Sequence, residues 1–430
     1  MSAAVHAGSP RCTVIRTGIL QITPFYRGQS ALRQSGLIQY CGIWYDMDVY
    51  CMIDSVITET GRKYVHHEGT ETKMDEISDN DICSLRLSFA PMEGITTAPF
   101  RCSHHEVFGG ADDYYAPFLN TGRVFLSRTR DRRDMDPEAN RGIHMIPQLL
   151  SNNSRDFLCA AEKLSSIGYH EINLNLGCPS GTVVSRHRGA GFLEDTDRLD
   201  RFFEEVSDGL EKLNQGKNAS DAVRLSVKTR LGMTDPEEAC ELIKIYNRYP
   251  LSLLIIHPRV QKEGYSGHVH MDVFLDMLRD SRLPVCYNGD ILTAEDAVRV
   301  FRQCRERMAA LSSSAAVSDT GGNRQGHMIS PKLTGMMIGR GAVRDPAVFR
   351  KIRGGSSMEK SELLHFLDLV LRRTSEGIPE EMNQLSKMKD IWAFLGQYFP
   401  GQEKELKKIR HARSLVDYQS AVQQICSSRA

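Results

Sequence analysis

The sequence predicts an α/β fold: a (β/α)8 TIM barrel followed by a small all-helical C-terminal domain. Three observations carry that reading. From Leu87 onward, short apolar runs of strand length alternate with longer amphipathic stretches. Eight such runs fit within about 260 residues, the usual size of a barrel of this kind. The polar and conformationally special residues collect where those runs end, which in a parallel barrel is one shared mouth.

The strand candidates are residues 88–92, 113–119, 143–149, 171–176, 224–229, 253–257, 284–288 and 335–339. The fourth is the plainest: Ile172, Leu174 and Leu176 alternate with Asn173 and Asn175, the period of a strand. Gly177 and Pro179 then stop it around a single cysteine, Cys178. Helical periodicity fills the gaps at 155–167, 199–213, 236–248 and 294–308. A doubly wound open sheet is the weaker rival, because no GxGxxG follows the first strand. Residues 312–330, rich in Ser, Gly and Asn, read as a surface insertion before the last strand. Beyond Arg353 the strand signals stop, and 363–373, 381–399 and 403–422 have helical periodicity, separated by Gly377-Ile378-Pro379 and Pro400-Gly401.

The expected organisation is an N-terminal extension over 1–86, a catalytic barrel over 87–353 and a helical domain over 354–430. The extension differs in kind from the rest. No acidic residue precedes Asp46, while Arg11, Arg16, Arg27 and Arg33 stand among several serines, a composition shared with organellar targeting segments. A poorly ordered extension is the simpler reading. From Asp46 to Asp81 the balance turns acidic, as in a solvated linker.

Composition narrows the function classes. The 430 residues are 41% hydrophobic and 25% charged, enough for a large core and a solvated surface. Lysine plus arginine equals aspartate plus glutamate at 54 each, so any polyanion must meet a local basic patch. The 11 cysteines form no CxxC pair and their odd number suits neither a disulfide framework nor a zinc site, which points to a reducing cytoplasm. No apolar run has the length of a membrane span. His104-His105-Glu106 lacks a second ligand cluster, so no metal centre is expected.

The predicted strand ends bring together a thiol, amides, an amine, an imidazole and two glycine turns. The first strand ends in Pro91, Met92 and Glu93, the third in Gln148, the fourth in Asn175 and Cys178, and the fifth in Lys228 and Arg230. His257 and Arg259 end the sixth, Asn288-Gly289-Asp290 the seventh and Gly339-Arg340-Gly341 the eighth. Each has a bland reading when taken alone: a free cysteine usually packs as a small hydrophobe, and a lysine at a strand end is usually solvated. Their convergence outweighs those readings. Barrels commonly bind phosphate through backbone N–H groups after strands seven and eight, and the two glycine turns fit, with Arg340 able to add a bidentate contact. A phosphorylated cofactor is implied.

Taken in order, Ala90-Pro91-Met92-Glu93-Gly94, Leu174-Asn175-Leu176-Gly177-Cys178-Pro179-Ser180, Val227-Lys228-Thr229-Arg230-Leu231-Gly232, His257-Pro258-Arg259, Asn288-Gly289-Asp290 and Ile338-Gly339-Arg340-Gly341-Ala342 form a specific set. That set resembles the tRNA-dihydrouridine synthase family, from about Leu87 to the C-terminus. The resemblance implies an FMN enzyme that reduces the C5=C6 bond of particular uridines in tRNA, with NADPH as electron donor. It implies cofactor contacts at Pro91, Met92, Glu93, Gln148, Lys228, His257, Asn288, Gly289, Asp290, Gly339 and Arg340, a catalytic proton donor in Cys178, and substrate contacts from Asn175 and Arg259. The expectation is a cytoplasmic monomer whose partner is tRNA, with neither metal nor membrane.

As a proton donor Cys178 must stay a thiol at neutral pH, and so must lack the close cationic partner that makes a thiolate. The target base must be extruded from folded RNA at a cost of a few kcal/mol, which RNA contacts elsewhere must offset. Lys404, Lys407, Lys408, Arg410 and Arg413 form one candidate basic group, and Lys387 and Lys389 with Trp392 a second; the plain alternative is a solvated helix face. Gly181 stands where many members carry a lysine, and Pro258 where a small residue is more usual. Two other functions share parts of the pattern. A flavin barrel acting on a free pyrimidine gives no reason for the added helical domain. An RNA-binding protein without catalysis gives none for Cys178, Lys228 and the glycine turns together.

Overall fold

The structure, a computed structural model, describes residues 82–318 and 333–427. Residues 1–81 of the predicted extension and most of the predicted insertion lie outside the described residues. The end of the extension already belongs to the fold: a 3-10 turn at Ile82–Ser84, with Ile82 buried, leads into the first strand.

Eight parallel strands make the framework: β1 (Arg86–Phe89), β2 (Asp113–Tyr115, resuming at Leu119–Asn120), β3 (Met145–Ile146 and Gln148–Leu150), β4 (Glu171–Leu176), β5 (Arg224–Arg230), β6 (Leu253–His257), β7 (Val285–Tyr287) and β8 (Leu333–Ile338). Each is hydrogen-bonded to the next. Both pieces of β2 pair with β3, Tyr114 opposite Met145 and Leu119 opposite Leu149, and β8 returns to β1 with Ile338 opposite Phe89. The ring therefore closes. The breaks in β2 and β3 fall at Pro117 and Pro147, which have no N–H to give to a ladder. The two stretches look continuous by hydrophobic pattern alone. Pro147 still contributes its carbonyl, which accepts from the Asn173 N–H at 2.9 Å. β1 and β8 each lie slightly earlier in the chain than their apolar runs suggest.

Strand parity separates two cores. Ile172, Leu174 and Leu176 of β4 and Leu225 and Val227 of β5 pack outward in the large core beneath the helices. A second buried set, Ala90, Tyr115, Ile146, Ile255, Cys286 and Met337, fills the interior of the ring. β4 and β5 put polar residues there instead, with Asn173 opposite Ser226 and Asn175 opposite Lys228. The interior is thus apolar on most sides and polar along one seam.

The surrounding helices are α1 (Ala98–Val107), α2 (Ser154–Ser166), α3 (Thr196–Asn214), α4 (Ala239–Tyr246), α5 (Met271–Asp280) and α6 (Ala294–Ser318). Asn153 caps α2 by accepting from the Asp156 N–H at 2.8 Å, and Asp195 caps α3 from Arg198 at 2.9 Å. The helix expected at 236–248 is a 3-10 turn at Pro236–Glu238 running into α4, and α6 continues to Ser318, so the start of the predicted insertion is helical. After β8 come two short helices, α7 (Arg340–Arg344) and α8 (Val348–Ile352), divided at Asp345-Pro346 because proline disfavours helix in the residue before it.

Four helices complete the described chain: α9 (Lys360–Gly377), α10 (Glu381–Leu395), α11 (Glu403–His411) and α12 (Leu415–Ser427). Phe366 of α9 meets Phe100 and Phe108 edge-on at 5.3 and 5.4 Å, which seats α9 against α1. The single helix expected over 403–422 is two, because the Ser414 hydroxyl accepts from the Asp417 N–H at 3.1 Å and starts α12 afresh. One predicted basic group is corrected here. Trp392 is buried and donates to the Tyr418 hydroxyl at 3.0 Å, Lys389 donates to the Ala412 carbonyl at 2.6 Å, and Lys387 donates to the Gly94 carbonyl at 3.0 Å. These side chains pack the helices onto each other and onto the loop after β1. Among the described residues no helix is long and apolar enough to cross a membrane, and no cluster of three metal-ligating side chains exists.

The end of the barrel opposite the mouth is closed by a polar plug. The buried Asp113 carboxylate accepts from Arg86 Nε at 3.0 Å, Ser88 Oγ at 3.2 Å and His144 Nδ1 at 2.7 Å. Burial raises its pKa, but the His144 and Arg86 hydrogen bonds outweigh that and hold it below the usual value. A carboxylate with a lowered folded pKa contributes stability above its unfolded pKa and loses it as pH falls through the folded one. Asp113→Asn is expected to cost about 1–3 kcal/mol near neutral pH and to flatten the acid limb of the stability profile. Urea unfolding midpoints that coincide with the parent's at pH 6 would show the plug to be idle.

Candidate active site

Cys178, the cysteine at which the fourth strand was expected to stop, stands at the end of β4, half-buried, and its position is set by Asn175. The Asn175 Oδ1 accepts from two backbone groups, the N–H of Gly177 at 3.0 Å and that of Cys178 at 2.9 Å. A backbone N–H can only donate, so the orientation of this amide is determined, and a chain of consequences follows. Asn175 Nδ2 donates to Gln148 Oε1 at 2.7 Å; Gln148 Nε2 must then donate to Asn173 Oδ1, at 2.8 Å; Asn173 Nδ2 donates to Ser226 Oγ at 3.0 Å. Three amides and a hydroxyl thus run in one sense from the mouth into the barrel, across β3, β4 and β5. Beyond the cysteine the chain turns back, and the Ala190 N–H donates to the Cys178 carbonyl at 3.1 Å. Gly189 allows that return: its φ is +56°, and a Cβ there would lie 2.9 Å from the Cys178 carbonyl oxygen.

Cationic groups surround the thiol without pairing with it. Arg230 is 1% exposed; its Nε donates to the Gly177 carbonyl at 2.8 Å and its Nη1 to the Val260 carbonyl at 3.0 Å, tying the cysteine loop to the loop after β6. Gln261 reinforces that tie through the Pro179 carbonyl at 3.1 Å. Burial pushes the Cys178 thiol up, and the Ser180 backbone, Arg230 and Lys228 pull it down by less, so it is neutral at neutral pH. Lys228, opposite Asn175, makes no hydrogen bond or ion pair among the described residues. Burial, helped by Arg230, lowers its pKa to about 8. A desolvated ammonium without a partner is costly and marks where a ligand acceptor or anion belongs.

The loops after β6, β7 and β8 meet on Asp290. This carboxylate accepts from Arg259 Nη1 at 3.0 Å and from Arg340 Nη2 at 2.8 Å, and it sits at φ +43°, a conformation a non-glycine residue adopts only when its surroundings impose it. Arg259 was expected to touch substrate, and its place is different. It is 1% exposed, with Nε donating to the Ser266 carbonyl at 3.1 Å and Nη2 to Gly267 at 2.7 Å, so it braces loops from beneath. Its Nη1 also lies 3.1 Å from His257 Nε2. Arginine can only donate, so Nε2 accepts and the imidazole proton is on Nδ1. Burial, with Arg230, Lys228 and Arg259 nearby, pushes the His257 pKa well below its usual value, which keeps the ring neutral.

The glycine turns have a steric reason. A Cβ on Gly341 would lie 2.2 Å from the Ile291 carbonyl oxygen, and one on Gly289 would crowd Tyr287, Val269 and Pro258 at 3.1 to 3.2 Å. Asn288 joins the two turns by donating to the Met337 carbonyl at 2.8 Å, and Gly339 faces Ala90 and Met92 from the loop after β1. Glu93 lies on that same loop, 3.4 Å from Arg130, with its pKa raised by burial. The predicted site residues therefore come together at one mouth, Arg259 serving as a brace. Tyr265 is the residue that the sequence reading missed. It is 62% exposed, its ring lies 5.5 Å from the Arg230 guanidinium and 5.4 Å from that of Arg340, and it stacks toward His257 at 6.3 Å. The signal available was an aromatic residue between Gly264 and Gly267, both at positive φ, in the loop after β6.

Asn175→Ala is expected to strand the Gly177 and Cys178 N–H groups and Gln148 Oε1, costing about 2–4 kcal/mol. Amide hydrogen exchange at Gly177 and Cys178 should accelerate with it. Unchanged exchange at both positions would show that the amide chain does not hold the cysteine.

Comparison with known proteins agrees with this geometry. The family model described as dihydrouridine synthase matches residues 88–313. A tRNA-dihydrouridine(16) synthase of Ralstonia nicotianae is 29% identical over 286 residues, covering 64% of this chain and 75% of that protein. One of Cupriavidus necator is 28% identical over 276 residues, covering 63% and 74%. A tRNA-dihydrouridine synthase B of Proteus vulgaris is 25% identical over 318 residues, covering 72% and 81%. The family match spans more than half of the chain, including β4 with its cysteine, Lys228 and the Asp290 loop, and on that ground this chain belongs to the dihydrouridine synthase family.

Proposed function

We propose that this protein reduces the C5=C6 bond of uridines in tRNA, with FMN held at the barrel mouth, NADPH as the source of electrons and Cys178 as the proton donor. Family membership and the names of the relatives, tRNA-dihydrouridine(16) synthase and tRNA-dihydrouridine synthase B, support the reaction. The observation that carries the residue roles is a neutral thiol on the same rim as an ammonium that has no partner among the described residues.

The residues fit a phosphorylated flavin. The turns at Gly289 and at Gly339 and Gly341 let backbone approach a phosphate closely, and Arg340 keeps donors to spare beyond its contact with Asp290. Lys228, Gln148 and the His257 Nδ1–H supply a cation and donors for the ring system, with Pro91, Met92, Glu93 and Asn288 as the remaining proposed contacts. When bound, the cofactor supplies hydride to C6 of the uracil. The electron pair of the former double bond then collects at C5, and Cys178 gives its Sγ–H proton there, leaving as a thiolate that Arg230 and Lys228 stabilise until solvent reprotonates it. Asn175 has one N–H not already donated, which is the group it offers to the edge of the base.

Cys178→Ala is expected to keep the yellow flavin and to form dihydrouridine at least about a hundredfold more slowly, by mass spectrometry of digested tRNA. Parent-like turnover would remove the proton-donor role, and reduction of free uridine without tRNA would favour a small-molecule substrate. Lys228 allows a second check through its sign. Its folded pKa of about 8 lies below the ordinary lysine value of 10.5, so the ligand-free protein bears the penalty in full below about 8 and sheds it as pH rises toward 10.5. Lys228→Met should therefore raise the melting temperature of ligand-free protein at pH 7 while weakening FMN binding by about tenfold or more. A variant that binds FMN as tightly as the parent would show that the ammonium does not face the cofactor.

A further inference from the structure

The chain as a whole has no net charge, yet residues 121–133, leaving β2 at the mouth, carry Arg123, Arg128, Arg130, Arg132 and Arg133 against the single acid Asp131. This loop, which ends in a short helix at Thr129–Asp134 carrying Arg130, Arg132 and Arg133, is shaped by strain. Leu126 sits at φ +53°, and Arg132 Nη1 donates to the carbonyls of Leu126 at 3.1 Å and Ser127 at 2.7 Å. The loop that carries Cys178 has the same features. His187 sits at φ +50° between Arg186 and Arg188, and Asn152 Nδ2 donates to the carbonyls of Arg186 at 3.0 Å and His187 at 2.9 Å. Arg188 links the two loops, through Nε to Asn152 Oδ1 at 3.3 Å and through Nη1 to Asn120 Oδ1 at 3.5 Å.

What sets these arginines apart is that several without a carboxylate partner gather at one mouth. Many other arginines of the surface are neutralised by carboxylates, as in Arg248 with Asp200 at 2.7 Å, Arg279 with Asp276 at 2.8 Å and Arg353 with Asp112 at 2.6 Å. Among the described residues no carboxylate pairs with Arg123, Arg128, Arg132, Arg186 or Arg188. Arg132 and Arg188 donate to carbonyl, amide and hydroxyl oxygens, neutral acceptors that fix a guanidinium in place but leave its charge uncompensated. Like charges gathered on two strained, stitched loops repel one another, and an extended anion laid across them relieves that repulsion.

We propose that this arginine rim, formed by Arg123, Arg128 and Arg132 on the β2 loop and Arg186 and Arg188 on the cysteine loop, binds the phosphate backbone of the RNA that delivers the target base. The inference rests on tRNA being the substrate. It assigns the principal phosphate contacts to the barrel rim, whereas the lysines of α11 share their helix with Glu403 and Glu405. The arrangement also has a mechanical consequence. Arg186 and Arg188 lie on the turn that Gly189 and Ala190 fold back onto the Cys178 carbonyl, so phosphates held there are referenced to the same backbone that places the thiol. Backbone contacts of this kind position an RNA without reading its sequence.

The test is filter binding of an unmodified tRNA transcript to the flavin-containing full chain between 50 and 200 mM salt, with steady-state dihydrouridine formation alongside. The double variant Arg123→Gln/Arg186→Gln is the probe, because neither guanidinium has a hydrogen bond to lose among the described residues. Its dissociation constant is expected to rise about tenfold or more, and its log–log salt slope to fall by about 2, as for the loss of two phosphate contacts. KM for tRNA should rise with it while kcat stays within about twofold and flavin absorbance is unchanged. Arg123→Lys/Arg186→Lys should recover most of the affinity, since a phosphate contact needs charge more than a fork. An unchanged slope and affinity in the Gln variant, or a Lys variant as impaired as the Gln one, would overturn the proposal. The expected slopes in a protein that forms no dihydrouridine would support the rim and overturn the reaction instead.

Discussion

Two backbone N–H groups, those of Gly177 and Cys178, converge on one side-chain oxygen, and much of the site depends on that convergence. Because neither N–H can accept, Asn175 cannot flip, and the sense of the whole chain through Gln148 and Asn173 to Ser226 is inherited from it. A buried amide chain satisfied in only one sense is rigid, since any reversal would leave several groups unpaired in low dielectric. The thiol at its outer end is therefore held by the barrel itself. The loop contributes only the turn at Gly189 that brings the chain back.

Rigidity of the frame is what lets the mouth carry strain and unbalanced charge. The non-glycine residues with positive φ among those described, Leu126, His187 and Asp290, all lie on loops beyond the carboxyl ends of strands. Asp290 is the anionic centre on which Arg259 and Arg340 converge. Lys228 has no counterpart of that kind among the described residues, and burial lowers its pKa. A neutral thiol on the same rim as a desolvated ammonium offers a proton to give and a positive charge near the thiolate that its loss would leave.

Much of this was legible in the residues, for reasons that can be named. Glu171–Leu176 and Leu253–His257 are found at the bounds that their side-chain patterns predict, because one face of each must meet the helices and the other the barrel interior. The strand ends were legible because glycine and proline punctuate them. Hydrophobic pattern failed where backbone chemistry overrides it, at Pro117 and Pro147 inside strands and at Ser414 inside an apparently continuous helix. It also says nothing about which side of a folded unit a charge faces. Trp392 and Lys389 look like an RNA-binding pair in the sequence and are packing and capping groups in the fold, while Arg259 exchanges a presumed substrate contact for a hydrogen-bonding role between loops. Tyr265 was missed because a loop aromatic has no periodicity, and its one mark in the sequence is the flanking Gly264 and Gly267.

The protonation state of Cys178 in the folded protein is the point on which the account turns, and it can be read directly. Alkylation by iodoacetamide, followed residue by residue with peptide mass spectrometry from pH 6 to 10, reports the thiolate fraction of Cys178, with the exposed Cys159 and Cys240 as controls that the reagent is active. Cys178 is expected to react slowly at pH 7 and to reach its midpoint above the ordinary cysteine value. A Cys178 that alkylates rapidly at neutral pH, with a midpoint below the ordinary cysteine value, would be a thiolate at rest and would contradict the proposed proton-donor role.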